Sequence, residues 1–268
     1  MNKRVSKSKG TAARLMLWLL AGIATITLTV LVFLPASWMA VLLEQQTGGR
    51  LTLGDAQGTL WRGSAFLGAA PSGRDPVTPL LPGRFGWRLS PLVLVGKTML
   101  SVENAAVLSQ PLAVDGSWRS WRVGSAALDL PAERLASLGA PLNTIQPAGT
   151  MRLSWSALQL AREGAGVALQ GTMTLEMRDM SSRLSPVKPL GAYVLAFDWQ
   201  GRQAQMTLKT VRGPMLLSGS GMLTDGRLRF SGTAQAETGQ EERLGNLLNL
   251  LGQRRREGNK NVIALEFK

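Results

Sequence analysis

Residues 216–236 read LLSGSGMLTDGRLRFSGTAQA, a pattern typical of two antiparallel strands joined by a tight turn. Asp225-Gly226 stands at the centre, and a glycine there accepts the positive φ that a two-residue hairpin turn needs. The second strand alternates apolar and polar side chains: Leu228, Phe230 and Ala234 against Arg227, Arg229, Thr233 and Gln235. One packed face and one wet face are typical of antiparallel sheets, whereas buried parallel strands are apolar throughout.

The same alternation extends through most of the chain. It occurs in residues 84–90, 149–155, 169–178, 193–199 and 203–209. The turn Gln200-Gly201-Arg202 joins the last two segments and predicts another hairpin. We therefore predict a mainly β fold, an elongated antiparallel sheet domain built as a curved sheet, a sandwich or a partial barrel.

Two short helices are predicted within the sheet domain. Pro131 suits the first position of a helical turn that runs to Leu138 and ends at Gly139. Residues 238–241 have capping-box spacing, and a leucine stripe follows at helical intervals: Leu244, Leu247, Leu248 and Leu251. We expect this stripe to cover the apolar face of the sheet.

Leu15–Leu34 forms a run of 20 residues without a charged side chain. As a helix it rises about 30 Å, the thickness of a bilayer's hydrocarbon core. A cleaved signal peptide is the alternative, but its apolar region is shorter and a small-x-small site follows it. Residues 35–40 offer no such site, which favours an uncleaved transmembrane anchor.

Charge predicts the orientation of this anchor. Residues 1–14 carry five positive side chains, and the first carboxylate of the chain is Glu44. The positive-inside rule then keeps the tail in the cytoplasm and exports the residues beyond the apolar run. We expect a cytoplasmic tail at 1–14, a membrane anchor at 15–34 and an exported β-rich domain at 35–268, which in a bacterium would be periplasmic. A division into two lobes near 140–147 stays open.

The remaining composition excludes many functions. The chain has no Cys and no His, which rules out Cys/His zinc sites and Ser-His-Asp or Cys-His catalysis. We predict no catalytic residue, no metal ligand and no cofactor. The balance of 30 Lys and Arg against 17 acids is basic, but an exported domain has no access to nucleic acid. Arg254-Arg255-Arg256 is expected to be a solvated stretch after a helix end.

One motif carries a family resemblance. Gly58-Thr59-Leu60-Trp61-Arg62-Gly63, within Leu51–Leu67, resembles the G-T-L-W-x-G signature of the type II secretion system protein N family. Further blocks of that family follow in order: 34–36, 87–92 with Gly96, 190–193, 210–216 and 246–252. The resemblance implies a non-enzymatic, single-pass accessory component in the inner membrane of a Gram-negative bacterium. It would serve the machinery that moves folded proteins across the outer membrane, through bridging or regulatory contacts between the inner-membrane platform and the secretin.

The resemblance also selects candidate site residues, which we expect to serve folding rather than binding: Gly58, Thr59, Leu60, Trp61, Gly63, Trp87, Gly213 and Pro214. Gly58 and Gly63 would relieve the backbone at a strand-turn-strand junction, while Trp61 fills the apolar face. A lipid-binding or lipid-transfer groove is the alternative function. It would leave a set of large side chains facing a trough: Trp87, Trp155, Phe197, Trp199 and Phe230.

Overall fold

The computed structural model describes residues 8–47, 51–69, 78–138, 142–164, 166–257 and 260–267. In these residues 17 strands form one large antiparallel sheet that is not closed. The predicted mainly β, antiparallel fold with an N-terminal apolar helix is therefore confirmed.

The helical elements lie at the start of the chain and between strands. The α-helices are α1 Ser8–Val32, α2 Ser37–Thr47, α3 Leu142–Ile145 and α4 Glu241–Leu251, and 3-10 helices span Pro91–Val95 and Ala132–Leu138. The strands are β1 Leu51–Gly58, β2 Arg62–Ala69, β3 Thr78–Pro79, β4 Phe85–Leu89, β5 Lys97–Glu103, β6 Leu112–Ser117, β7 Ser120–Val123, β8 Ala126–Pro131, β9 Pro147–Trp155, β10 Leu158–Glu163, β11 Gly166–Ser182, β12 Gly191–Gly201, β13 Gln203–Arg212, β14 Met215–Thr224, β15 Arg227–Ala236, β16 Gln253–Glu257 and β17 Lys260–Phe267.

The pairing registers give the order of strands across the sheet. From one side to the other they run β1, β2, β4, β5, β6, β7, β10, β11, β12, β13, β14, β15, β17 and β16. β8 and β9 pair beyond the ends of β7 and β10, and β9 also pairs with β11. β3 pairs with the end of β2. Most neighbours in the sheet are thus neighbours in sequence, as in a meander of hairpins.

The hairpin predicted from residues 216–236 is present as β14 and β15, with Thr224 opposite Arg227. Asp225 and Gly226 have φ angles of 51° and 76°, which is the left-handed geometry that twists a two-residue turn to match the strands. β12 and β13 form the other predicted hairpin, with Gln200 opposite Gln203.

Two apolar clusters pack on the sheet, one near each end of its strand order. At one side α4 lies on β15 and β17, and Leu244, Leu247 and Leu248 are buried. This confirms that the leucine stripe covers the apolar face. At the other side the buried residues are Ala36, Ala65 and Trp87. Between the clusters the apolar side chains of the central strands are mostly half-buried.

Some local details differ from the predictions. Arg254 and Arg255 are exposed and follow the end of α4, as expected, but Arg254-Arg255-Arg256 also belongs to strand β16, which pairs with β17. Pro131 is the last residue of β8, and the helix after it is a 3-10 helix that begins at Ala132. α2 and the helix Pro91–Val95 were not predicted. Gly139, where the helix after Pro131 was expected to end, lies outside the described residues, as do residues 140 and 141 of the region near 140–147 where a division into two lobes stays open.

α1 contains the predicted apolar run up to Val32. Among the described residues it is the one helix long and apolar enough to cross a membrane, over residues 14–32. The side chains of that stretch are exposed, with the half-buried Leu31 near its end as the exception. An N-terminal helix of this kind is consistent with a single-pass membrane protein.

Candidate functional site: the junction between the apolar helix and the sheet

The Gly58–Gly63 motif forms the turn between β1 and β2. The Thr59 N–H donates to the Arg62 carbonyl at 2.9 Å, and the Arg62 N–H donates back to Thr59 Oγ1 at 3.2 Å. Thr59 therefore closes the turn with both its backbone and its hydroxyl. Leu60 and Trp61 are left at the tip, where they project beyond the sheet ladder.

The two glycines fit this turn for different reasons. Gly58 has a φ of 89°, a conformation that other residues rarely adopt. Gly63 faces Trp87, and a Cβ added at Gly63 would lie 2.5 Å from Cζ2 of that ring and 2.8 Å from the Gln57 carbonyl oxygen. The first glycine thus permits the backbone of the turn, and the second leaves room for an indole.

Trp61 connects the tip of the turn to the end of α1. Its indole N–H donates to the Leu31 carbonyl at 2.8 Å. α1 ends at Val32, and the last four carbonyls of a helix have no partner within the helix. Trp61 therefore supplies a side-chain cap for the C-terminal end of the apolar helix.

The segment after α1 adds backbone bonds to the same tip. The Leu60 N–H donates to the Leu34 carbonyl at 2.8 Å, and the Ala36 N–H donates to the Gly58 carbonyl at 3.2 Å. Pro35 and Thr59 form an antiparallel bridge between these bonds. The residues that follow the helix thus run beside the turn as a short extra strand and leave little freedom for the helix to swing.

Trp87 of β4 supports the tip from the sheet side. Its indole N–H donates to the Leu60 carbonyl at 3.0 Å, while its ring is 5% exposed and packs with Ala36 and Ala65. The Leu89 N–H, at the end of β4, donates to the Trp61 carbonyl at 2.7 Å. Each tip residue is therefore bonded both to the helix side and to the sheet side.

A surface ion pair lies near the base of the same hairpin. Arg84 Nη1 is 2.5 Å from Asp55 Oδ2, and the guanidinium lies 4.6 Å from the centre of the Phe66 ring. The hydrogen bond from Arg84 lowers the pKa of the Asp55 carboxyl below its ordinary value, with a further contribution from Gln57. Asp55 has a φ of 49° at a bulge in β1, so this pair fastens an irregular point of the strand.

Gly213 and Pro214 belong to a different place, beside the α4 cluster. A Cβ added at Gly213 would collide with the Gly191 backbone, and the Pro214 carbonyl accepts from the Glu237 N–H at 2.7 Å. The Tyr193 hydroxyl donates to the Met215 carbonyl at 3.0 Å, and burial raises the pKa of Tyr193. These contacts close the bend between β13 and β14 against α4.

The candidate residues thus separate into two sets. The structure brings together Gly58, Thr59, Leu60, Trp61, Gly63 and Trp87, with Gly213 and Pro214 elsewhere. The buried indole is that of Trp87, whereas Trp61, which we expected to fill the apolar face, is half-buried at the turn tip. Leu31 and Leu34 were missed as partners. The signal for them was the Leu34-Pro35-Ala36 block, which accompanied the motif in the same resemblance.

The contacts at the junction suit a structural role, which is to attach the helix to the sheet. They are backbone hydrogen bonds, two indole N–H donors and small buried side chains, with no ionisable group at the tip apart from the exposed Arg62. No group of three or more His, Cys, Asp or Glu suited to a metal ion occurs within the described part of the chain. The arrangement can hold a helix and a sheet in one orientation.

A single apolar helix hydrogen-bonded to the first hairpin of an open antiparallel sheet is consistent with a single-pass membrane protein that carries a β-sheet domain. The family model described as type II secretion system (T2SS), protein N matches residues 49–262. The chain belongs to this family, as the resemblance of its motifs predicted, and is a component of type II protein secretion. No curated protein matches the chain. No solved structure matches it either.

Proposed function

We propose that the protein is a non-enzymatic accessory component of the secretion machinery that positions a β-sheet domain at the periplasmic face of the inner membrane. In this proposal residues 1–14 are cytoplasmic, 15–34 span the membrane and 35–268 are periplasmic. The sheet domain then makes bridging or regulatory contacts between the inner-membrane platform and the secretin. Family membership supports association with other secretion components.

The observation that carries the proposal is the hydrogen-bonded junction. A flexible linker would let the sheet domain move freely, but here Trp61, Leu60 and Ala36 bond helix end to hairpin within a few residues of α1. Each hydrogen bond contributes only about 1 kcal/mol net, so a fixed orientation needs several that act together. A component that bridges two membrane complexes needs such an orientation, whereas a tethered soluble enzyme does not.

The wet face of the sheet supports a role in contacts with partners. It is polar and charged along its length, with exposed ion pairs such as Arg212 with Asp179 and Arg178 with Glu176. Exposed pairs of this kind add little stability, which leaves these side chains able to exchange partners at low cost. We expect electrostatic contacts from this face to influence the choice of partner more than affinity.

Affinity purification and secretion assays together test the proposal. The full-length chain is purified from cells that express the whole secretion system, and platform and secretin subunits are sought by mass spectrometry. We expect copurification, and loss of exoprotein from the medium when the chain is deleted. Normal secretion after deletion, together with no copurifying secretion component, would contradict the proposal.

A matched pair of variants connects the assay to the junction. Trp61→Ala removes the cap on Leu31, whereas Trp199→Phe alters a half-buried indole whose buried N–H has no hydrogen-bond partner. Secretion should fall for Trp61→Ala at equal protein abundance and stay unchanged for Trp199→Phe.

A lipid groove is a second candidate, favoured by the centre of the apolar face. Trp155, Phe197 and Trp199 are half-buried, although Trp87 and Phe230 are buried in the clusters at the two sides. Lipid mass spectrometry on the purified chain separates the two functions. Stoichiometric acyl lipid that is lost in Phe197→Asp would favour the groove, and lipid-free protein that still binds secretion components would exclude it.

A further inference from the structure

The ends of several neighbouring strands lie next to the junction. The turn at residues 59–61 lies beside the end of β4, because Arg62 pairs with Arg88 and the Leu89 N–H bonds to the Trp61 carbonyl. The start of β5 and the end of β6 lie next along this edge, with Lys97 opposite Ser117. The segments 90–96 and 118–119 therefore project from the same edge of the sheet as the end of α1.

These two segments form a fixed apolar surface, which we call the junction patch: Leu92, Leu94, Val95 and Trp118. Their side chains are 45%, 48%, 72% and 59% exposed. Ser90 caps the helix Pro91–Val95 by accepting from the Leu92 N–H at 3.3 Å, and Gly96 ends it with a φ of 90°. The Trp118 indole N–H donates to the Val93 carbonyl at 2.7 Å, which fastens the second segment to the first.

Exposure of four large apolar side chains on a rigid edge is costly in water and usually marks a binding surface. Trp118 has the arrangement typical of a membrane interface, since its N–H is bonded while most of its ring is free. Lys97 and Arg119 flank the patch, and residues 89–98 and 116–121 contain no acid. Neither cation has a salt bridge within the described residues.

A second apolar stripe flanks the junction on the side of α2. Trp38, Val41 and Leu42 are spaced i, i+3, i+4 and are all about half exposed, whereas the other side of this helix packs on β1. α2 begins at Ser37, directly after the residues bonded to the turn. Exposed apolar groups thus lie on both sides of the point where the apolar helix meets the sheet.

We infer that the junction patch docks on the membrane that α1 enters, with its apolar side chains in the interfacial zone and Lys97 and Arg119 at anionic lipid headgroups. The inference rests on the proposed membrane anchoring by α1. Its occupant is the lipid surface, because the Leu89 N–H, just before the first segment of the patch, bonds to Trp61, whose indole bonds to Leu31 at the end of the apolar run. A single helix can rotate in the bilayer, so it does not by itself set the tilt of the attached sheet. Docking of the junction patch would fix that tilt relative to the membrane.

Fluorescence quenching in lipid nanodiscs tests this docking with the full-length chain. The chain contains no Cys, so single Cys variants accept one environment-sensitive dye each. Leu94→Cys reports on the patch, with Val95→Cys as a second position. Leu184→Cys is the matched control, because Leu184 is also an exposed leucine but follows the far end of β11, about 50 Å along that strand. The quencher is a phospholipid that carries a nitroxide near its headgroup.

We expect severalfold stronger quenching at Leu94 than at Leu184 in discs that contain phosphatidylglycerol. Lys97→Gln with Arg119→Gln should remove the added effect of the anionic lipid, since each basic residue near such a surface contributes roughly fivefold in binding. Equal, weak quenching at Leu94, Val95 and Leu184 would overturn the inference. Protection of the Leu94→Cys thiol from labelling in cells, without quenching of its dye in nanodiscs, would also overturn the inference and would indicate a protein partner.

A dye at Ile26→Cys in α1 separates this outcome from failure of the anchor. Quenching at Ile26 by a lipid with a deep nitroxide, without quenching at Leu94, rejects docking and leaves the anchor intact. Absence of quenching at both positions rejects the membrane anchoring of the proposed function as well.

Discussion

The indole N–H of Trp61 donates a 2.8 Å hydrogen bond to the backbone carbonyl of Leu31, so the tip of the first hairpin caps the end of the apolar helix. The two residues belong to segments that the sequence presents as separate, a hydrophobic run and a strand turn. Their contact holds the apolar helix against the sheet at the junction, where a flexible tether would leave it free. It gives the Gly58–Gly63 motif a physical role that belongs to the attachment of the domain rather than to its interior.

Trp61→Phe should weaken the junction, although the variant keeps an aromatic ring at the tip of the turn. Loss of the N–H leaves the Leu31 carbonyl without its partner, which should cost about 1 kcal/mol. Hydrogen exchange of the full-length chain in detergent should quicken in residues 31–36 and 58–63. Trp199→Phe is the control, because that indole N–H has no partner to lose. Unchanged hydrogen-exchange rates in both variants would show that the bond from Trp61 to Leu31 does not restrain the junction.

Gly63→Ala should destabilise the sheet at the junction. The new methyl group would lie 2.5 Å from Trp87 Cζ2 and close to two backbone oxygens, so the indole or the turn must shift. Overpacking of this kind costs about 2 kcal/mol. Gly54→Ala in β1 is the control, since no atom lies within 4 Å of its added Cβ and the expected change is within about 0.5 kcal/mol. Denaturant unfolding of both variants measures the difference, and equal midpoints would contradict the packing argument.

Leu247→Ala should cost much more stability than Leu250→Ala, although the two leucines lie on the same helix. Leu247 is 2% exposed in the cluster beneath α4, and Leu250 is 62% exposed. A buried leucine truncated to alanine typically costs about 2–5 kcal/mol, while an exposed one stays within about 0.5 kcal/mol. Thermal unfolding of the two variants gives the comparison. A similar decrease for both would mean that α4 does not seal the apolar face.

The ion pair of Asp55 with Arg84 should give a pH-dependent stability contribution. The pKa of Asp55 is lowered in the folded chain, so its contribution is present above the ordinary carboxyl value of 3.8 and is lost as the pH falls through the lower folded value. Asp55→Asn keeps a residue that tolerates the positive φ. The stability difference between wild type and variant should be small, sensitive to salt and smaller still at pH values below 3.8. A difference that stays constant across this acid range would exclude the ion pair as its cause.

Much of the fold follows from local rules. Asp225-Gly226 specifies its hairpin because few residues accept two consecutive positive φ angles, and Leu244, Leu247 and Leu248 specify a covering helix through their spacing. α2 escapes such rules because it carries apolar side chains on two sides, Trp38, Val41 and Leu42 outward and others toward β1. Periodicity is blurred when both sides of a helix are apolar.

The junction itself depends on long-range contacts. The motif predicted a strand-turn-strand junction whose glycines relieve the backbone, but the bond from Trp61 to Leu31 joins residues 30 positions apart. The strand β16 was missed for a similar reason, since a run of three arginines has no alternation and gains its strand structure only by pairing with β17. Propensity describes a segment alone, and pairing at a sheet edge overrides it.

The most direct test of the account measures the distance between helix and sheet. Spin labels at Thr27→Cys in α1 and Thr207→Cys in β13, both exposed, are the only thiol labels in a chain without native Cys. Pulsed electron spin resonance of the full-length protein in nanodiscs then gives their distance distribution. The account predicts one narrow distribution that broadens in Trp61→Ala and stays narrow in Trp199→Phe. A broad distribution in the wild-type chain would show a free tether and contradict it.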